Sequence, residues 1–287
     1  MMEMKVRKLR IEEHIKTRKL WEEIFTEDTP EFLDYYYSVK TKDNEIYVIE
    51  DNGEIVSMLH LNPYEMRIKD KVYQTHYIVA VATKKNYRRR GLMKQLLEHV
   101  LQVMTERGEP FTFLMPAKEE IYLPFGFTFV YEQRQGKVKG ERSWDRALEI
   151  CMAGEKDCDV IARFANQMLD KCEIVTWRTE SYYKTLLLEL ASEKGGILLA
   201  KKDGQLQGVF PYAYINEQDK QLMIKEPLFC REEYFRQAIY QLTNSETEEV
   251  CCIGYGTETK PMIMARILNK DIVLKINKEE VYINEEV

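Results

Sequence analysis

The sequence predicts an α/β (α+β) chain of two tandem domains with mixed sheets, and three observations lead there. The first is a strand, turn, helix, strand unit running from His76 to Met115. Ile78-Val79-Ala80-Val81-Ala82 is an uninterrupted apolar run rich in branched residues, the pattern of a strand buried on both faces. A polar turn, Thr83-Lys84-Lys85-Asn86-Tyr87, leads into Arg88-Arg89-Arg90-Gly91. Leu92, Leu96, Val100 and Val103 then recur at helical spacing, as do Met93, Leu97, Leu101 and Met104, until Gly108 and Pro110 close the helix. Phe111 to Met115 is the next apolar run, so the unit is βαβ with a right-handed crossover. The second observation is that the element order of the first half recurs in the second. The third is length: 287 residues correspond to roughly two domains.

Each element follows from local pattern. Met4 to Leu9 reads as a first strand, and Glu12 onwards as a helix carrying Ile15, Leu20, Trp21, Ile24 and Phe25, ended by Thr29-Pro30. Glu31 to Val39 is a short aromatic helix. Glu45 to Glu50 and Glu54 to Leu61 are strands joined by the hairpin turn Asp51-Asn52-Gly53, the second ended by Asn62-Pro63. Met66 to Tyr73 adds a turn or hairpin before the central unit. Beyond it, Ala117 to Phe127 holds a short helix ended by Gly126, and Phe127 to Tyr131 alternates as a strand. Gln133 to Arg146 is polar and irregular, and the domain boundary is placed near it. The second half reads as helices over Asp157–Leu169 and Glu180–Ala191, then a hairpin of Gly196–Ala200 and Gln207–Ile215 about Lys201-Lys202-Asp203-Gly204. A strand (Leu222–Phe229), a helix (Glu232–Leu242) and a strand (Glu249–Tyr255) complete it. Its strand end, Leu228 to Glu232, has neither glycine turn nor arginine cluster.

Composition narrows the function. A net charge of −6 argues against general nucleic-acid or membrane-surface binding, which favours basic surfaces. No apolar run approaches a bilayer span, and Met1 to Arg10 is too charged for a secretory signal, so a cytoplasmic chain is expected. The six cysteines lie in the second half without CxxC spacing, which suits reduced thiols. His14, His60, His76 and His99 show no metal or triad spacing, so no metal is expected. Gly254-Tyr255-Gly256 has Thr259 where a dinucleotide motif needs its third glycine. The Tyr35-Tyr36-Tyr37 run reads first as packing and second as lining for a cationic amine. Against the acidic background the arginine triplet is a local feature: a helix start offers free N–H groups and a positive dipole end, and the guanidinium groups add charge suited to a diphosphate.

These residues resemble the GNAT superfamily of N-acetyltransferases. The pyrophosphate motif of that superfamily, Arg/Gln-x-x-Gly-x-Gly/Ala after a Val-Ala-Thr strand end, stands here as Val81-Ala82-Thr83 and then Arg88-Arg89-Arg90-Gly91-Leu92-Met93. Met93 replaces the usual Gly or Ala, a departure shared with the Eis-like (enhanced intracellular survival) branch. Tyr122-Leu123-Pro124-Phe125-Gly126-Phe127 is similar to the Tyr-x-x-Phe-Gly-Phe/Tyr segment of the superfamily, at the same relative spacing. By this resemblance the domains are a catalytic GNAT domain (1–135), a degenerate GNAT-like domain (150–258), and a short remnant of a sterol-carrier-like domain (259–287). Homo-oligomer assembly, a property of the third domain in relatives, stays open.

The resemblance implies acetyl-CoA as co-substrate and a small-molecule or lysine amine as acceptor. Backbone groups of Val81, Ala82 and Thr83 would pair with pantetheine as an added strand does. Arg88, Arg89, Arg90, Gly91, Leu92, Met93 and Lys94 would hold the diphosphate, and Ala117 and Lys118 would lie along the same path. Tyr122 is the candidate general acid, because a phenol of pKa about 10 exchanges a proton with a departing thiolate at little cost. In Eis-like enzymes the terminal carboxylate enters the site, which makes Val287 the candidate base. No cysteine lies near the motif, which favours direct attack by the amine over an acyl-enzyme. The alternative is a non-catalytic acyl-CoA-binding or regulatory protein.

Overall fold

A computed structural model describes residues 4–142, 145–214, 221–272 and 281–282. The chain divides into two units: one takes Met1–Tyr131, Ile174–Thr176 and Met262–Glu285, the other Glu132–Glu173, Trp177–Pro261 and Glu286–Val287.

In the first unit, β1 (Val6–Lys8) is followed by a 3-10 helix, Ile11–Thr17, and by α1 (Arg18–Ile24). Thr29-Pro30 begins the next helix rather than ending the last. The Thr29 side chain accepts from the Phe32 N–H, and Pro30 takes the first turn of α2 (Pro30–Ser38), where its missing N–H costs nothing. β2 (Glu45–Asp51) and β3 (Glu54–Ile68) are joined at Asn52 and Gly53, whose φ values of 50° and 79° are those of a tight hairpin. β3 runs on through Asn62-Pro63, against expectation. On one side its pairing with β2 stops at Leu61 and pairing with β8 (Ile174–Thr176) starts at Met66, so the missing Pro63 N–H falls in the gap.

β3 turns at Lys69-Asp70 into the antiparallel β4 (Lys71–Thr83). α3 (Leu92–Glu106) follows, burying Leu92, Leu96, Leu97, Val100, Leu101 and Met104 on one face, each such burial contributing about 1.5–3 kcal/mol. It returns the chain to β5 (Phe111–Leu114), parallel to β4 at His76↔Thr112 and Tyr77↔Phe113. The expected βαβ unit is therefore present. α4 (Glu119–Tyr122) and a short 3-10 turn, Leu123–Phe125, lead to β6 (Thr128–Lys139). The segment read from sequence as irregular from Gln133 is strand as far as Lys139. Its later residues pair with β13 (Glu249–Ile253), and its polar side chains alternate with the buried Val138. The first sheet is completed from far along the chain: Met264 to Ile267 of β14 (Glu258–Ile267) pair antiparallel with β5, and β15 (Val281–Tyr282) pairs with β8.

The second unit contains β7 (Leu148–Met152), α5 (Cys158–Met168), α6 (Glu180–Ser192), β9 (Gly196–Lys202) and β10 (Gln205–Tyr214). β11 (Leu222–Lys225), β12 (Leu228–Phe229) and α7 (Glu232–Thr243) precede β13. Its strands run β6-β13-β11-β10-β9-β7, with β12 beside β10. The connection from β11 to the parallel β13 passes through α7, as the one from β4 to β5 passes through α3. One core packs Phe210, Ile224, Phe235 and Ile239 together, and another packs Ile161, Ala165, Leu186 and Leu190.

Candidate active site

The site begins with a break in pairing. β4 contacts β5 at His76 and Tyr77, and from Ile78 to Thr83 it is paired with β3 alone. A register shift between Met58 and His60 accompanies this, with Ala80 at φ 51° in the left-handed region that a β-carbon disfavours. The backbone of Val81, Ala82 and Thr83 thus has one edge bonded and the other open to an extended ligand. Ser57 secures the bonded edge: its Oγ donates to the Ala82 carbonyl at 3.0 Å and lies 2.7 Å from Thr83 Oγ1.

The basic turn follows directly. Arg89 and Gly91 both have positive φ (63° and 80°), and the helix opens at Leu92. No backbone carbonyl accepts from the N–H groups of Arg89 to Lys94; the first such bond runs from Gln95 to Gly91. Alternating left-handed residues aim successive N–H groups inward, the geometry of an anion nest, and the helix dipole adds to it. The three arginines are not equivalent. Arg88 Nε donates to the Thr83 carbonyl at 3.1 Å, and Arg90 Nη2 to the Asn86 carbonyl at 2.8 Å while lying 4.8 Å over the Tyr87 ring. Tyr87 is anchored through its hydroxyl to Asp51. Arg88 and Arg90 therefore staple the turn, whereas the exposed Arg89 side chain has no partner among the described residues. A diphosphate fits this cradle: inward N–H groups, a helix start and one uncommitted guanidinium.

Met93, half-buried, packs in the same apolar cluster as Val81 and Tyr122. Tyr122 ends α4, its ring 6.0 Å from that of Phe127 and nearly perpendicular to it. Burial pushes its hydroxyl up to about 12, so it stays protonated through the neutral range. Among the described residues the hydroxyl has no partner, and it is not wholly sealed from solvent. Ala117 and Lys118 are exposed, in the segment between β5 and α4. The structure thus puts Val81, Leu92, Met93 and Tyr122 in one apolar cluster, with the basic turn between the first two and with Ala117 and Lys118 just before Tyr122 in the chain. Val287 lies outside the described residues.

Sequence reading missed a buried polar cluster under the strand break. The Tyr36 hydroxyl donates to Asn62 Oδ1 at 3.1 Å, accepts from Asn44 Nδ2 at 3.0 Å, and lies 3.1 Å from His60 Nδ1. With the hydroxyl proton on Asn62, His60 must donate from Nδ1, leaving Nε2 as a lone pair. Burial lowers the His60 pKa to about 3. The tyrosine run is packing, with Tyr35 and Tyr36 in the core beside Trp21. Only the spacing of Tyr36 from His60 across two strands links these residues, which periodicity does not reveal. His76 is likewise structural, bonded to Glu109 at 2.9 Å. Among the described residues no group of three or more His, Cys, Asp or Glu could hold a metal, and no helix is long and apolar enough to cross a membrane.

The first unit is thus a mixed sheet whose central parallel pair opens beside a basic helix start. Residues 5–130 match the family described as "Acetyltransferase (GNAT) domain". That match spans somewhat less than half of the chain, and the likeness to a GNAT acetyltransferase domain belongs to that segment. The fold is similar to that of a GCN5-related N-acetyltransferase from Anabaena variabilis (TM-score 0.75, 15% identity, covering 96% of this chain and 75% of that one). It is also similar to Eis1 from Mycobacterium abscessus (TM-score 0.67, 12% identity, 96% and 76% covered). A tandem GNAT protein from the clavulanic acid biosynthesis pathway aligns at TM-score 0.58 and 10% identity, with 93% and 99% covered. No curated protein matches the sequence significantly.

Proposed function

We propose that the chain transfers the acetyl group of acetyl-CoA to a primary amine, on a small molecule or a lysine side chain, by direct attack. The observation that carries this is the unpaired edge of β4 running without interruption into the Arg88–Lys94 turn. Pantetheine would add to Val81–Thr83 as a strand, with the diphosphate on the turn N–H groups and Arg89, and Ala117 and Lys118 along the path. A thioester bound in this way would lie on the Tyr122 side of the strand opening, and holding two reactants in register removes much of the entropic barrier.

When bound, acetyl-CoA supplies the activated acyl group. The amine, once neutral, attacks the carbonyl carbon; the C–S bond breaks, and the electron pair leaves on sulfur. Tyr122 then delivers its proton to that sulfur. A thiolate expelled into a dry site meets the same burial penalty that raises the tyrosine, which offsets the weaker acidity of the phenol. The ammonium would lose its first proton to the terminal carboxylate of Val287, or into water, before attack, and the second N–H proton, released as the amide forms, would restore the Tyr122 hydroxyl. We further read the chain as Eis-like, with a second, degenerate GNAT-like unit that binds no diphosphate. The repeated helix-linked parallel pair supports that reading.

The test is release of free CoA thiol across a panel of aminoglycosides, polyamines and lysine peptides. Amine-dependent release supports the proposal. Tight acetyl-CoA binding with no release for any amine would instead support a non-catalytic acyl-CoA-binding protein.

A further inference from the structure

A cavity of about 590 Å³ lies in the first unit; it shares Pro124, Phe125 and Gly126 with the motif that follows Tyr122 but none of the residues given a role in acetyl transfer. Its walls are Pro124, Phe125, Gly126, Thr128 and Phe129 on one side and Ala265 to Ile267 of β14 on the other. The volume is in the range of small-ligand sites, which combine apolar walls with a few placed polar groups. Here those groups are Arg266 and Thr128.

Arg266 is held in place. Its Nη1 donates to the Phe125 carbonyl at 2.8 Å, and its Cδ passes 3.9 Å from where a β-carbon on Gly126 would stand. No carboxylate lines the cavity, and no acceptor among the described residues takes the other guanidinium N–H groups. A half-buried, pre-oriented guanidinium with donors to spare is a fork for a carboxylate. The Thr128 hydroxyl, exposed and without a partner among the described residues, is a second donor at the rim. Phe125 and Phe129 supply aromatic lining, which suits a flat apolar body.

Strand register separates this cavity from the diphosphate turn. Arg266 pairs with Thr112, which pairs with His76, on a rung where β4 and β5 are still closed together. The diphosphate turn starts beyond Thr83, seven residues further along β4 and so about 20 Å away. We propose that the cavity is a second binding site, for a small aromatic carboxylate, with Arg266 as its anion-binding residue. It stands independently of the acetyl-transfer reading.

The probe is fluorobenzoate, followed by fluorine NMR on the full chain. Saturable binding is expected, undisturbed by excess CoA, and neutral fluorobenzyl alcohol should compete poorly. Arg266→Leu should weaken fluorobenzoate binding about tenfold or more, the loss of a charge-assisted pair, while CoA binding is retained. Thr128→Val, at an exposed position that folding tolerates, should weaken it several-fold and keeps the test decisive should Arg266→Leu not fold. Displacement by CoA, equal binding of the neutral alcohol, unchanged affinity in both variants, or no saturable binding would each overturn the proposal.

Discussion

Replacing Gly91 by alanine isolates the backbone requirement of the diphosphate turn. Gly91 sits at φ 80°, and a β-carbon built there meets no atom within 4 Å. Sterics from neighbours are therefore absent, and the cost is conformational alone. An L-residue in the left-handed region loses about 1–2 kcal/mol, partly offset by the smaller entropy of the unfolded alanine chain, about 0.4–1 kcal/mol. A net loss of about 1 kcal/mol lowers Tm by roughly 2–4 °C for a chain of this size. Gly91→Asn should recover most of it, because asparagine tolerates this region. If the chain relieves the strain by rotating φ, the N–H groups of Gly91 and Leu92 turn out of the nest, and acetyl-CoA affinity falls about tenfold. Thermal unfolding of the ligand-free protein and an acetyl-CoA titration read the two effects separately. A Gly91→Ala protein with wild-type Tm and wild-type affinity would refute the reasoning about the turn.

Arg89→Ala should weaken acetyl-CoA binding and flatten its salt dependence without lowering the Tm of the ligand-free protein, whereas Arg88→Ala should lower that Tm because it removes a staple to Thr83; equal behaviour of the two would contradict the division of roles. Tyr122→Phe should reduce kcat about a hundredfold or more with little change in acetyl-CoA affinity. Because burial raises the hydroxyl to about 12, the wild type should show no alkaline loss of kcat near pH 10 from this group; such a loss disappearing in the variant would mean that the hydroxyl is not raised by burial. His60 is neutral when folded and titrates at about 3, against about 6.5 unfolded. The unfolded state therefore takes up the proton first, and the contribution of this group to stability is present above pH 6.5 and lost as pH falls from 6.5 towards 3. Between pH 7 and 5 urea unfolding should show a loss of about 2 kcal/mol that His60→Gln lacks; identical pH dependence in both proteins would mean that His60 is hydrated or charged when folded.

Much of the fold is legible in the residues. The apolar run Ile78 to Ala82, the glycine at 91 and the spacing of Leu92 to Met104 are local signals, and each element forms where its own pattern puts it. Punctuation was less reliable. Asn62-Pro63 reads as a strand end, yet β3 continues, because what matters is whether a neighbouring strand needs the missing N–H at that rung. Thr29-Pro30 reads as a stop and is a cap. Gln133 to Lys139 is too polar to suggest a strand, but its hydrogen bonds go to a partner more than a hundred residues later.

The sequence alone determined the chemistry the turn can offer, since arginines, a glycine and a helix start need only a few neighbouring residues to form an anion cradle. Tertiary structure alone decided which guanidinium is uncommitted, because Arg88 and Arg90 find carbonyls only once the turn is folded. It also decided that Tyr36 locks His60 and that Arg266 reaches Phe125, 141 residues away. Periodicity reports which face of an element is apolar, whereas the partner that a polar side chain meets depends on strand register, and register is settled by pairing across the whole sheet.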